Sequence, residues 1–389
     1  MANEEMGTCI VIVAGVKYDN MISLSLKRTK KDMTSSGTMV LSWPGAELFN
    51  ATAMPAQELV DGARGEIMLD GQLAATIRID NRTSHGSPTS FRLELSFRGL
   101  ASAIVDSSAD HPTGQENKKT PGQISKKLME GYEPQLEDKS GESQQLEKFV
   151  IQEGETIERS IRRAGREFGL LATENEKGNV ELQKKGSNEG SGQPLVLGRN
   201  FMEWSVKRDM SPRYSKVKAK GNSVPTDKKY GKEAEEVAGE AIDNYVKYKR
   251  QLNILIDSDH SKDTLKKRAV SEANRRKGQG LDVTLTMSTW SDDSGQLWKV
   301  GKLHTVVIPV DQVADQLLVD SVTFNLDVNK RETQVILVSP ETYSDDSSGG
   351  GKGGGGSGAD SGAAAAGGSA GGSTNSIFAP SVSSVVDGT

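Results

Sequence analysis

The residues in this sequence that could do chemistry are few and far apart. Its histidines are His85, His111, His260 and His304, and none stands three or four residues from another, the spacing that sets two imidazoles on one helical face for zinc. "DSDH" at 257–260 gathers oxygen ligands and an imidazole but lacks the loop spacing of a calcium site, and it reads as a solvated turn leading into a helix cap. "GGGKGGGGSG" around Lys352 departs from a phosphate-cradling loop at both decisive places. Asp346 stands where the first glycine belongs, and Gly353 replaces the hydroxyl residue after the lysine. Asp292 and Asp293 sit beside two indoles, as the carboxylates of a glycosidase can, yet adjacent residues in a turn point apart and cannot straddle one glycosidic bond. The expectation is no catalytic residue, no bound metal and no cofactor.

"TWSDDSGQLWKVGKLHTV" at 289–306 places Trp290 and Trp298 on either side of an acidic turn that contains Gly295. A hairpin in which Gly295 supplies a positive φ accounts for this spacing. Together the indoles would remove about 300 to 500 Å² from water at about 25 cal/mol/Å², so packing explains them without a ligand. Trp290, Gly295 and Trp298 are therefore expected to form a structural hairpin. A second stretch, "FVIQEGETIERSIRRAGREFG", resembles the opening of a LysM glycan-binding module, although the second half of that motif has no counterpart here. A third, the helix at 262–277, carries Lys262, Lys266, Lys267, Arg268, Arg275, Arg276 and Lys277 against Asp263 and Glu272. Its basic side fits phosphate contact or, more simply, a solvated or salt-bridging face.

The elements that would position these residues are mostly strands. Period-two alternation in "EIMLDGQLAATIRID" and "FRLELSF", with turn formers between the runs, predicts antiparallel strands over 6–99. Thr120 then stands as an N-cap with Pro121 at the first helical position, ahead of a short helix reaching about Gly131. A strand, helix, hairpin pattern occupies 148–182, with Ile157, Ile161, Ala164 and Phe168 on one helical stripe. Strands return at "PLVLGRNFMEWSVKRD" and "RYSKVKAKG", 224–251 is polar and helix-like, and a helix over 261–277 sets Leu265, Ala269 and Ala273 four apart. Residues 281–287 alternate cleanly, and "QLLVDSVTFNLDVNKRETQVILVSP" supplies a closing hairpin before order ends near Tyr343.

Composition narrows the class. The 389 residues allow two to four domains. Of the formal net charge of −5, residues 344–389 carry −3, so the body is nearly neutral and exerts no general pull on DNA or anionic lipid. The single cysteine, Cys9, excludes an internal disulfide or thiolate cage and fits a reducing compartment. "MANEEMGTCIVIVAG" is acidic before a short apolar run, the reverse of a signal peptide, and no later apolar stretch approaches about 18 residues, so a soluble, unsecreted chain is expected. Residues 349–372 hold 13 glycines in 24 positions and read as a flexible tether. Beyond it, Ile377, Phe378, Pro380 and Val382 read as a partner-docking peptide, with a frayed end as the plainer alternative.

Several pieces in order resemble the baseplate hub (tail) protein of contractile-tailed bacteriophages, the Mu-like family whose fold is shared with type VI secretion hubs. They are "FRGLASAIVDSSA" at 97–109, "QEGETIERSIRRAGREFGLLATENEKGNVEL" at 152–182, "RYSKVKAKG" at 213–221, "RAVSEANRRKGQGLDVTL" at 268–285, "WSDDSGQLWKVGKLHTVVIP" at 290–309 and "LLVDSVTFNLD" at 317–327. The first 90 residues match only in rhythm, and the glycine-rich tail has no place in the pattern. The resemblance implies a mainly β fold, α+β overall, of two tube-like antiparallel β-barrels with small α/β inserts. On that reading 1–105 is the first barrel, 106–193 the inserted α/β region with the LysM-like segment, and 194–343 the second barrel with a helical and hairpin insertion around 261–300; 344–389 is the tail.

The resemblance further implies a non-enzymatic homotrimer whose six barrels adapt a hexameric tail tube to a trimeric central spike. Its expected partners are the tail tube protein, the spike, baseplate wedge proteins and the tape measure protein, with genomic DNA only in transit through the lumen and no membrane. It would reside in the virion's tail baseplate after assembly in the host cytoplasm. The rival function is a peptidoglycan-binding or lytic tail module, resting on "GETIERSI" and the tryptophan pair. A nucleic-acid binder working through the helix at 262–277 is a third.

Overall fold

The computed structural model describes residues 8–44, 57–166, 168–185, 187, 190–222, 237–259 and 262–343. Strands dominate, as the alternating stretches predict. The first half holds β1 (Cys9–Val13), β2 (Val16–Tyr18), β3 (Met21–Thr29), β4 (Ser36–Pro44), β5 (Arg64–Leu69), β6 (Gln72–Gly86) and β7 (Ser90–Gly99). Several bury alternate residues: Leu24 and Leu26 in β3, Met39, Leu41 and Trp43 in β4, Leu93, Leu95 and Phe97 in β7. The turns Ala14-Gly15 and Asp70-Gly71 have positive φ at both positions, the twist that lets a two-residue loop join antiparallel strands.

An α/β insert follows, built from α1 (Ser102–Asp106), β8 (Gln115–Lys119), α2 (Pro121–Leu128), β9 (Leu136–Asp138), β10 (Leu146–Val150), α3 (Ile157–Arg166), β11 (Leu170–Glu174) and β12 (Val180–Lys184). Thr120 caps α2 through a capping box with Gln123, and Pro121 opens the helix, so the local signal was sufficient there. Ile157, Ile161 and Ala164 of α3 pack with Leu170, Val180 and Leu182 in a core of their own.

The second half contains β13 (Leu195–Val196), β14 (Glu203–Arg208), β15 (Lys216–Asn222), β16 (Val237–Ile242), β17 (Gln251–Asp259), α4 (Lys262–Gly278), β18 (Leu281–Met287), β19 (Leu303–Ile308), β20 (Val313–Asp327) and β21 (Lys330–Val338), closed by a 3-10 turn at Pro340–Tyr343. Residues 237–242 are a strand rather than the expected helix. Ala241 joins Val217, Ala219, Leu265 and Ala269 in a small core under α4, and tertiary packing overrides the polar composition. Among the described residues, no helix is long and apolar enough to cross a membrane.

Most strands join in one 13-stranded sheet of order β14-β18-β21-β20-β3-β4-β7-β6-β5-β1-β2, with β19 on β20 and β13 on β19. The resemblance implied a mainly β fold of two tube-like barrels; the fold is mainly β, and among the described residues the sheet path stays open at both ends. The reason is visible at β3, which spends its outer edge on β20 instead of closing on its own half.

The halves correspond strand by strand. The order β3-β4-β7-β6-β5 repeats as β14-β18-β21-β20-β19. Ile79 pairs with Phe97 and Asn81 with Ser96, leaving Asp80 as a bulge; Val319 pairs with Leu337 and Ser321 with Ile336, leaving Asp320 as a bulge. One constant offset relates every position of the two hairpins, so the bulge falls at the same place in both.

Candidate assembly surface

The halves meet where β3 lies antiparallel to β20, from Thr29 opposite Ser321 to Leu24 opposite Leu326. Val322, Phe324, Leu24 and Leu26 are buried along this seam. At its end the Lys30 amide donates to the Asp320 carbonyl at 2.8 Å, Lys31 pairs with the Asp320 carboxylate at 3.1 Å, and the Tyr343 hydroxyl bonds the same carboxylate.

The insert rests on that seam. Arg28 of β3 reaches Glu176 at 2.7 Å and the Glu174 carbonyl at 3.1 Å, and the Lys30 ammonium donates to the Ser187 carbonyl at 2.8 Å. Glu174 is the link to the first half: its carboxylate accepts from the Ser35 amide at 2.7 Å, the Ser35 hydroxyl at 2.8 Å and the Ala101 amide at 2.8 Å. Burial pushes this carboxyl above its ordinary range, against the opposing pull of those donors.

The tryptophan segment is a second clasp across the halves. Trp290 and Trp298 are 0% and 4% exposed, and the Trp290 indole N–H donates to the Asn325 carbonyl at 3.2 Å. Gly295 has φ +76°. The segment is a loop held by one bridge between Ser291 and Leu297 rather than a strand hairpin, because Asp292 collects its amides. The Asp292 carboxylate accepts from Ser294 N at 2.9 Å, Gln296 N at 3.2 Å and Lys302 Nζ at 2.7 Å. Burial alone would raise that carboxyl; the bonds from Lys302 and Ser294 outweigh it and hold it below its ordinary range. Gln72 of the first half donates to the Gly295 carbonyl at 2.8 Å, and Arg331 reaches Asp70 at 3.5 Å. These indoles are not offered to a sugar.

The face of the sheet away from the core carries short, neutral polar groups. One row runs through Asn325, Ser25, Thr38, Ser96 and Asn81, straight across the seam. On the same face Lys27, Arg92 and Lys207 are interleaved with Glu94, Asp282, Glu203 and Glu332. The adjacent row on this face runs through Lys27, Ser36, Arg98, Arg78 and Arg64, and its three arginines are paired with Asp80, Asp106 and Glu133, so their charge is answered by carboxylates.

The other sequence candidates are dispersed. His85 is exposed, 3.9 Å from Glu94, and His111 pairs with Glu116 at 3.0 Å. His304 is buried against Trp298 with Nδ1 2.9 Å from the Gln193 carbonyl. Asp257 begins the end of β17, and His260 lies outside the described residues, as do Lys352, Ile377, Phe378, Pro380 and Val382. On α4, Glu272 holds both Arg275 and Arg276 at 2.6 Å, and Arg276 also stacks on Tyr214, so part of the basic side is spent within the fold. Glu155 of "GETIERSI" accepts from Arg163 at 2.7 Å, tying the turn to its own helix.

Residues 101–184 match the family model described as baseplate hub protein gp44-like, second domain. The chain is 27% identical over 295 residues to the baseplate hub protein gp44 of Escherichia phage Mu, covering 73% of this chain and 77% of that one. The chain is similar to the Mu-type baseplate hubs. Its fold matches the 43 kDa tail protein of prophage MuSo2 from Shewanella oneidensis with TM-score 0.75 at 19% identity, over 87% of this chain and 99% of the other. It also matches an Escherichia coli component of the type VI secretion system with TM-score 0.52 at 11% identity, over 85% and 76%. The hub likeness read from the sequence motifs is thus recovered by sequence and by fold.

Sequence reasoning missed Asp320, Glu174, Gln72 and Tyr343, whose partners lie far off along the chain. One signal was available: "IDNRT" at 79–83 and "VDSVT" at 319–323 share the apolar residue, the bulge aspartate and the threonine.

Proposed function

We propose that this chain is the structural hub of a contractile phage tail baseplate, a homotrimeric ring that adapts a sixfold tail tube to a threefold central spike and leaves a lumen for DNA. The carrying observation is the repeat: one chain holds two halves with the same strand order and the same bulge. Three copies then present six like units, while the insert and the β15–β17 sheet with α4, each present once per chain, keep threefold symmetry. The non-core sheet face suits a lumen, since serine, threonine and asparagine with mixed charges do not hold phosphates as a cationic lining would. The role is architectural and involves no turnover. Tube, spike, wedge and tape measure proteins are its partners in the virion, after assembly in the host cytoplasm.

The test is the mass of the purified full chain by light scattering, alone and after mixing with the spike protein of the same tail. Trimers in either condition support the ring. Monomers in both overturn it.

A further inference from the structure

One junction of the repeat is satisfied inside the chain, and its counterpart is not. β3 covers the outer edge of residues 321–326 in β20. By the strand correspondence, the equivalent of β3 is β14 and the equivalent of that β20 edge is residues 81–86 in β6. Among the described residues β14 pairs only with β18, and 81–86 pair only with β7, since β5 reaches no further along β6 than Arg78.

Burial shows what is missing at each edge. Residues 80–86 of β6 are all exposed, whereas 320–326 of β20 are buried or half-buried. Leu24 of β3 is 3% exposed, and its equivalent on β14, Trp204, is 36% exposed beside Met202 at 70%. Large apolar side chains on an unpaired strand mark a contact surface.

We propose that β14 of one copy pairs antiparallel with residues 81–86 of β6 in a second copy, in the register the β3 and β20 seam sets. This rests on the ring reading above and names the contact that closes the ring. The register places Thr83 opposite Lys207, Ser84 opposite Val206, His85 opposite Ser205 and Gly86 opposite Trp204. Arg82 falls opposite Arg208, whose guanidinium is drawn back to the Asp311 carbonyl at 2.7 Å.

Each copy offers one edge of each kind, so the contact is head-to-tail and generates a ring. The composition fits an edge that must wait in water. Where β20 turns Val322, Phe324 and Leu326 into the core, β6 has Arg82, Ser84 and Gly86, polar choices that keep a free edge from indiscriminate pairing. The seam between copies is therefore polar on its β6 side, where the seam within a copy is apolar on both sides.

Disulfide trapping in the full chain tests the register. Cys9 is buried, and burial pushes its thiol up to about 12, so it stays out of the reaction. Directly opposed residues lie within disulfide reach, about 4.5–5.5 Å between Cα atoms. His85→Cys with Ser205→Cys, oxidised with diamide, is expected to give a covalent trimer on a denaturing gel that returns to monomer with reductant. Thr83→Cys with Ser205→Cys, a two-residue slip, is expected to stay monomeric on the same gel. A trimer by light scattering in which the first pair fails to link, or the second links instead, overturns this pairing and leaves the ring standing. A monomer by light scattering both alone and after mixing with the spike protein overturns both.

Discussion

The Trp290 indole N–H donates to the carbonyl of Asn325, 3.2 Å away, and Asn325 stands opposite Ser25 in the seam that joins the two halves. A side chain expected to fasten a local turn thus fastens a junction between segments nearly three hundred residues apart along the chain.

Trp290→Ala is expected to lower stability by about 3–5 kcal/mol, the range for emptying a large buried site. Trp290→Phe is expected to lose less, near the value of one hydrogen bond with some packing, about 1–2 kcal/mol. Denaturant unfolding checks both. Because the ring is buried, peptidoglycan pull-down is expected to be absent in the wild type as well as in either variant.

Asp292→Ala removes the acceptor for the Ser294 and Gln296 amides and leaves the Lys302 ammonium without its carboxylate. A loss of about 1–3 kcal/mol is expected, with Asp292→Asn recovering part of it. The Asp292 carboxyl lies below its ordinary range in the fold, so its contribution is present above the unfolded value and is lost as pH falls through the folded one. Acid unfolding curves of wild type and Asp292→Asn are expected to converge at the acid end.

Glu174→Gln sets an amide NH₂ against one of the N–H groups of Ser35 and Ala101 that the carboxylate now accepts, and is expected to cost about 1–3 kcal/mol. Here the sign is opposite, because the folded carboxyl titrates above its ordinary range. Its stabilisation is full below the unfolded value and is lost as pH rises through the folded one. The stability difference between wild type and variant is therefore expected to shrink with rising pH, and a difference that grows with pH contradicts the assignment.

Gly239 lies where α4 crosses β16, and a methyl group there would overlap the backbone of Leu265 and Lys266. Gly239→Ala is expected to cost about 1–3 kcal/mol as overpacking. The readout is local: amide exchange in α4 should quicken while exchange in β20 is unchanged.

The sequence showed most of what is local. Alternation located β5, β7, β18 and β21, and Thr120 with Pro121 marked the start of α2, because those signals need only neighbouring residues. It misread 237–242, where the strand VAGEAI pairs with β15 and packs under α4. It placed Trp290 and Trp298 in one turn but gave no hint of Gln72 as the clasp, since that contact spans 223 residues of the chain. The hub likeness rested on the order of motifs, a property that survives where single residues drift.

The bulge aspartates give the repeat a further meaning. Asp320 takes its counter-ion from Lys31 beyond the end of β3, while Asp80 takes Arg98 from its own hairpin at 2.5 Å. The repeated hairpin thus carries two charge arrangements: one bulge aspartate is tied to the other half of the chain, and the other is neutralised within its own hairpin. The backbone is alike at the two bulges, and the difference lies in the cation that answers each aspartate and in the side chains along the edge beside it.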